Sequence, residues 1–188
     1  MSNFMKVNYS KTNKSIIEEY EELKNNPISN CGVTVRLPDK NNIYEWQATI
    51  LGPKDTFYRG GIFILSIKFP VDYPEHGPDV CFKNPIYHIN VNPIKYNIPG
   101  TEKLGHICFP NLWKPKNKMR EFLTNIFGFF YLADIGNPYG IEILNEYKNK
   151  LDLYVEKVKY FTKKYAFPID DNIKIDYDES WDFSYENK

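Results

Sequence analysis

The chain has 188 residues, 42% of them hydrophobic and 16% aromatic, enough for one domain with a substantial core plus a short tail. Its 24 basic and 24 acidic side chains cancel, which excludes the strongly basic character of a nucleic-acid binder. Three scattered cysteines, Cys31, Cys81 and Cys108, have no C-x-x-C spacing, so a disulfide framework and a structural zinc site are both disfavoured and no cofactor is called for.

Met1–Lys6 lacks the apolar stretch of a signal peptide, and the most apolar run, Ile126 to Ala133, is too short to span a bilayer. The expectation is a soluble protein of the cytoplasm or nucleus, without membrane or nucleic-acid partners. The charges are nevertheless unevenly spread. From Phe167 onward Asp170, Asp171, Asp176, Asp178, Glu179, Asp182 and Glu186 face only Lys174 and Lys188, so a body near +5 carries a segment near −5.

In chain order, Asn13 or Ser15 is placed to cap a first helix in which Ile16, Tyr20 and Leu23 recur at helical spacing, ending at Asn25-Asn26-Pro27. Val33, Val35 and Leu37, then Tyr44, Trp46, Ala48 and Ile50, alternate with polar neighbours, and Pro38–Asn42 supplies the turn of an antiparallel hairpin. Ile62 to Phe69 reads as a central strand and Asp79 to Phe82 as a fourth. Met119, Phe122, Leu123, Ile126, Phe130 and Ala133 form one apolar stripe, predicting a buried helix that runs to Ala133. Two further helices are expected at Tyr139–Asn149 and Leu151–Tyr165. The class is α+β: a helix, a four-stranded antiparallel meander, an irregular segment, then helices. The irregular segment holds the candidate nucleophile, Cys108, after Gly105-His106-Ile107.

Trp46–Pro53, Tyr58–Phe63, Phe69–Pro74, Ile86-Tyr87-His88-Ile89-Asn90, Gly105-His106-Ile107-Cys108, Trp113-Lys114-Pro115 and Asn137-Pro138 stand in the order, and carry the wording, of the ubiquitin-conjugating (E2) enzymes, which this chain resembles over about residues 12 to 166. The resemblance implies the UBC fold in a 12–166 domain, flanked by a 1–11 extension and a 167–188 acidic tail. It implies that Cys108 takes ubiquitin or a ubiquitin-like protein as a thioester from an activating enzyme (E1). Cys108 then passes it to a lysine or to a ligase (E3), the protein acting as a monomer or a partner-dependent heterodimer.

Asn90 matches the asparagine held to stabilise the oxyanion, an interaction worth about 3 kcal/mol; the alternative is a structural brace for the nearby loop. His88 is read as a buried hydrogen-bonder rather than a general base. Ile89 replaces the motif's proline, and residues 92–101 look like an insertion between Asn90 and Cys108. The acids that many members carry are replaced by Pro110, Tyr139 and Gly140, leaving Tyr139 and Glu142 as stand-ins. By resemblance, Lys14 on the first helix, Glu75 and His76 in the 73–78 loop, and Trp113, Lys114 and Pro115 face the E1 and E3 partners. Glu75-His76 stands where RING-reading members have an aromatic anchor. Two other readings are a catalytically weak E2 variant acting as a binding module, and a thiol hydrolase pairing Cys108 with His88 or His106.

Overall fold

A computed structural model describes residues 13–92, 105–107 and 113–167. Cys108, Pro110, residues 93–101 of the insertion, the 1–11 extension and the segment beyond Phe167 lie outside the described residues.

Helix α1 (Lys14–Asn25) is capped by Asn13, whose Oδ1 accepts from the Ser15 N–H at 3.1 Å, so Asn13 rather than Ser15 does the capping. The Asn13 amide also donates to the Tyr73 carbonyl, tying the start of the helix to the 73–78 loop. A short 3-10 turn, Ser29–Cys31, which the sequence pattern does not announce, leads into the sheet.

The four strands are β1 (Val33–Arg36), β2 (Glu45–Leu51), β3 (Ile62–Lys68) and β4 (Asp79–Phe82), each antiparallel to the next in the order β1-β2-β3-β4. The register aligns Val35, Ala48, Leu65 and Phe82 across all four strands, an apolar row on one face; Arg36, Gln47, Ser66 and Cys81 form the neighbouring row on the other. Period-two alternation therefore sets the meander as expected. In the first connection Asp39 and Asn42 side chains accept from the Asn41 and Tyr44 N–H groups, as turn-forming residues do.

Helix α2 (Met119–Phe129) stops four residues short of the expected end at Ala133. The chain tightens there: the Phe130 and Tyr131 N–H groups bond to the Phe127 and Gly128 carbonyls, yet Phe130 stays buried. Apolar spacing continues through a tightened turn and so overruns the helix end. Helix α3 (Ile141–Asn149) starts two residues later than expected because Gly140, its N-cap, is extended at φ −147° and ψ 145°; the Tyr139 N–H before it bonds to the Ile89 carbonyl at 2.6 Å. Helix α4 spans Leu151–Tyr165 as read from the sequence. One continuous core joins Trp46, Phe63, Leu65 and Ile67 of the sheet to Ile16, Leu23, Met119, Leu123, Ile126 and Val158 of the helices. Each such side chain contributes about 1.5–3 kcal/mol on burial.

Candidate active site

The two chain segments that flank the insertion are tied together at its base. The Asn92 N–H donates to the His106 carbonyl at 2.8 Å and the Gly105 N–H to the Asn92 carbonyl at 3.2 Å. His106 bridges to Cys81 and Ile107 to Val91, and the Phe82 N–H reaches the Gly105 carbonyl at 2.8 Å, so residues 105–107 run as a narrow ribbon between β4 and the 90–92 segment. Gly105 sits at φ +74°, and a Cβ there would lie 2.1 Å from the Phe82 carbonyl oxygen; only glycine permits that approach. Ile107, the residue before Cys108, is buried.

His88 is 4% exposed and lies within this framework. Its Nδ1 accepts from the Asn90 N–H at 3.0 Å, which leaves Nε2 to donate to the Phe129 carbonyl at 3.0 Å. Burial lowers its pKa to about 4, outweighing the opposing pull of that carbonyl. A neutral imidazole with both nitrogens occupied is a structural link between the motif and the end of α2.

Asn90 is fully buried, and its whole side chain is spent on the 134–137 turn. Nδ2 donates to the Asp134 carbonyl at 2.7 Å and to the Asn137 carbonyl at 2.8 Å, while Oδ1 accepts from the Asp134 N–H at 2.9 Å. Both amide hydrogens are thus committed to backbone carbonyls spaced three residues apart. Asp134, which the sequence reading missed, closes the turn from its other side by accepting from the Gly136 N–H at 2.9 Å and the Asn137 amide at 2.7 Å. Those bonds, the Asn137 amide foremost, hold its carboxyl below the ordinary range. The Asp-Ile-Gly-Asn string at 134–137 is Asx-turn chemistry and was the available signal. Tyr139 is half-buried just past this turn, and Glu142 is exposed in the first turn of α3.

Behind the motif lies a second polar cluster. Tyr87 donates to Glu146 at 2.7 Å, and Glu146 pairs with Lys157 at 2.7 Å, both charges buried between α3 and α4. The Tyr58 hydroxyl donates to the Tyr87 carbonyl at 3.0 Å and meets the Tyr154 hydroxyl at 3.4 Å. Burial drives the pKa of Tyr58 well above the ordinary phenol value and that of Tyr154 up to about 12, so both stay protonated. The late helices are thereby bolted to the segment that carries His88 and Asn90.

The residues expected to face partners are mostly at the surface. Lys14, Glu75, His76, Lys114 and Pro115 are exposed, with His76 paired to Asp72 at 2.6 Å. Trp113 is half-buried: its Nε1 donates to the Pro74 carbonyl at 2.8 Å, and its ring packs on Tyr73 and Phe122. Gly77 gives it room, since a Cβ there would lie 2.4 Å from the indole. Beneath them Glu19, only 7% exposed, accepts from the Tyr73 hydroxyl at 2.9 Å and from the Met119 N–H at 2.6 Å. A side chain of α1 therefore caps α2 and fastens the 73–78 loop. Helix α1, the 73–78 loop and the Trp113–Pro115 turn thus rest on one shared set of internal contacts.

No group of three or more His, Cys, Asp or Glu side chains among the described residues is placed to hold a metal ion. Among them, too, no helix is long and apolar enough to cross a membrane.

The sequence profile of the family "Ubiquitin-conjugating enzyme" matches residues 15–162, from the first turn of α1 to the last turn of α4. The chain belongs to the ubiquitin-conjugating enzyme family. Among solved structures it is similar to the crystal structure of "a putative ubiquitin conjugating enzyme from Plasmodium yoelii", with a TM-score of 0.70 and 27% identity over 84% of this chain and 99% of that one. The N-terminal helix, four-stranded antiparallel sheet and C-terminal helices are those of the UBC fold. As in the family generally, the domain implies dealings with E1, ubiquitin and E3 proteins.

Proposed function

We propose that this family member is an active acyl carrier, with Cys108 as the thioester-forming residue. The observation that carries the reading is the ribbon 105–107, pinned between β4 and the His88–Asn92 segment, which ends on a buried Ile107 directly before Cys108. In the forward half-reaction the Cys108 thiolate attacks the E1–modifier thioester carbonyl, and the E1 thiolate leaves. In the second half an amine attacks the Cys108 thioester, loses its proton to solvent or a nearby base, and Cys108 departs as the thiolate. A thioester is already activated, so position matters more than a strong base. That suits a site where His88 is neutral and fully bonded.

Asn90 serves this chemistry as a brace for the 134–137 turn, since donating to an oxyanion requires it to release a carbonyl it now holds. Lys14, Glu75, His76, Trp113, Lys114 and Pro115 form the E1 and E3 face, and Tyr139 or Glu142 stands in for the missing acids. The site of action is the cytoplasm or nucleus.

The same commitment of Asn90, together with Pro110, Tyr139 and Gly140 in place of acids, favours a second reading: a weak variant that serves as a binding module for ubiquitin or a ligase. Incubation with E1, ATP and tagged ubiquitin or a ubiquitin-like protein separates the two. The carrier gives a thiol-sensitive adduct, converted to a stable ester in Cys108→Ser. No adduct with any modifier rejects the carrier, and release of modifier from a preformed conjugate points to the hydrolase instead.

A further inference from the structure

Lys159, Thr162, Lys163 and Ala166 follow one another at offsets 0, 3, 4 and 7 and so share one face at the end of α4. Opposite them runs the connection between β2 and β3, and Lys54, Thr56, Phe57, Arg59 and Gly60 from it line the same groove, of about 630 Å³. Its four cations are exposed, and none of them makes an ion pair among the described residues. Asp55 faces the adjoining pocket instead, and Glu156 sits exposed one turn back on α4. Phe57 is 48% exposed, with the Lys159 ammonium 5.9 Å from its ring centre. The groove is cationic with one apolar foothold, a surface for an anionic chain that also carries aromatics.

Such a chain begins at the groove's own margin. Ala166 lines the groove, and its carbonyl accepts from the Ile62 N–H at 2.9 Å. The Asn84 amide donates to the Tyr165 and Phe167 carbonyls at 2.8 and 2.9 Å, so the exit point of the chain is fixed there. Residues 168–188 follow, with Asp170, Asp171, Asp176, Asp178, Glu179, Asp182 and Glu186 interleaved with Tyr177, Trp181, Phe183 and Tyr185.

We infer that this acidic, aromatic segment folds back onto the groove of Lys54, Arg59, Lys159 and Lys163 as an internal ligand. The first two acids lie within about 15 Å of chain length from Phe167, and the whole segment reaches about 70 Å. Exposed ion pairs are individually weak, but a tethered segment acts at an effective concentration of about 1 mM. Contacts amounting to a dissociation constant near 0.1 mM then close the groove about ten times more often than not. An outside partner of the same acidic chemistry must displace the segment first. The inference does not depend on the thioester chemistry of Cys108.

Chymotrypsin cleavage after Trp181 and Phe183, followed by mass spectrometry on the full chain, tests it. Lys54→Glu/Arg59→Glu/Lys159→Glu/Lys163→Glu, all at exposed positions, is expected to speed cleavage about tenfold at low salt. High salt is expected to speed the native chain equally and to leave the variant unchanged. In a second variant that neutralises the seven acids to amides, amine labelling of Lys54, Lys159 and Lys163 rises in step. Cleavage indifferent to groove reversal overturns the proposal, as does protection lost on dilution, which assigns the contact to a second copy. A synthetic 168–188 peptide that binds the native chain as well as the neutralised one shows an open groove and also overturns it.

Discussion

The region around His88 and Asn90 and the region around Trp113 use polar groups in opposite directions. Around the motif, imidazole, amide, phenols and an ion pair all point inward and bond to one another or to the backbone. Around Trp113 the inward positions belong to Tyr73, the indole and Glu19, while Glu75, His76, Lys114 and Pro115 are left to solvent. Residues that look chemical in the first region are occupied by bonds to the surrounding scaffold, and residues that look incidental in the second stand open to solvent. Changes to the inner region should therefore cost stability, and changes to the solvent-facing residues of the outer one should cost only binding.

The largest break in that contrast is expected at Glu146. Glu146→Leu takes the carboxylate from the buried Lys157 ammonium and should cost about 3–5 kcal/mol in urea unfolding, whereas Glu146→Leu with Lys157→Met should recover most of the loss. Equal losses in both variants would mean that packing, not the charge, is at stake.

Next comes the acid side of the stability profile. His88 binds no proton in the folded chain until pH falls to about 4, while an unfolded histidine does so near 6.5. The folded state is therefore progressively disfavoured as pH drops from 6.5 to 4, by about 3 kcal/mol in all. His88→Asn should lack this component, and the difference between the two chemical-denaturation profiles isolates it. Glu19→Ala removes the partner of the Tyr73 hydroxyl and the cap of Met119, at about 2 kcal/mol. It should loosen the 73–78 loop, seen as faster amide exchange there. At the small end, Glu75→Arg and His76→Phe should shift unfolding by no more than about 0.5 kcal/mol. His76→Phe, by restoring an apolar anchor, should raise affinity for RING-type ligases in titration calorimetry.

The sheet was legible because its signal is local. Val33 to Val35 and Trp46 to Ile50 alternate residue by residue, and Ile62 to Ile67 is a short, almost continuous apolar run beside Gly60-Gly61. The bonding partners within the inner region were not, because they join Asn90 to Asp134 and Asn137, and Tyr87 to Glu146, over dozens of residues. The end of α2 was hidden for a related reason: Phe130 is buried either way, so apolar spacing cannot tell a helix from the turn that follows it. One signal was present and unused. Glu19 lies three residues after Ile16, Glu146 three after Ile143, and Lys157 three after Tyr154, each inside its helix's apolar stripe. A charge on that stripe must be buried and must therefore have a partner.

Asn90→Ala bears most directly on whether the motif is scaffold or machinery. Charging by E1 and single-turnover discharge to lysine should both be measured, alongside unfolding. As a brace, Asn90 holds two carbonyls and an N–H of the 134–137 turn, and its removal takes one hydrogen bond from each, so stability, charging and discharge should fall together. Intact stability and charging, with discharge alone slower by two to three decades, would contradict the account and make Asn90 an oxyanion donor.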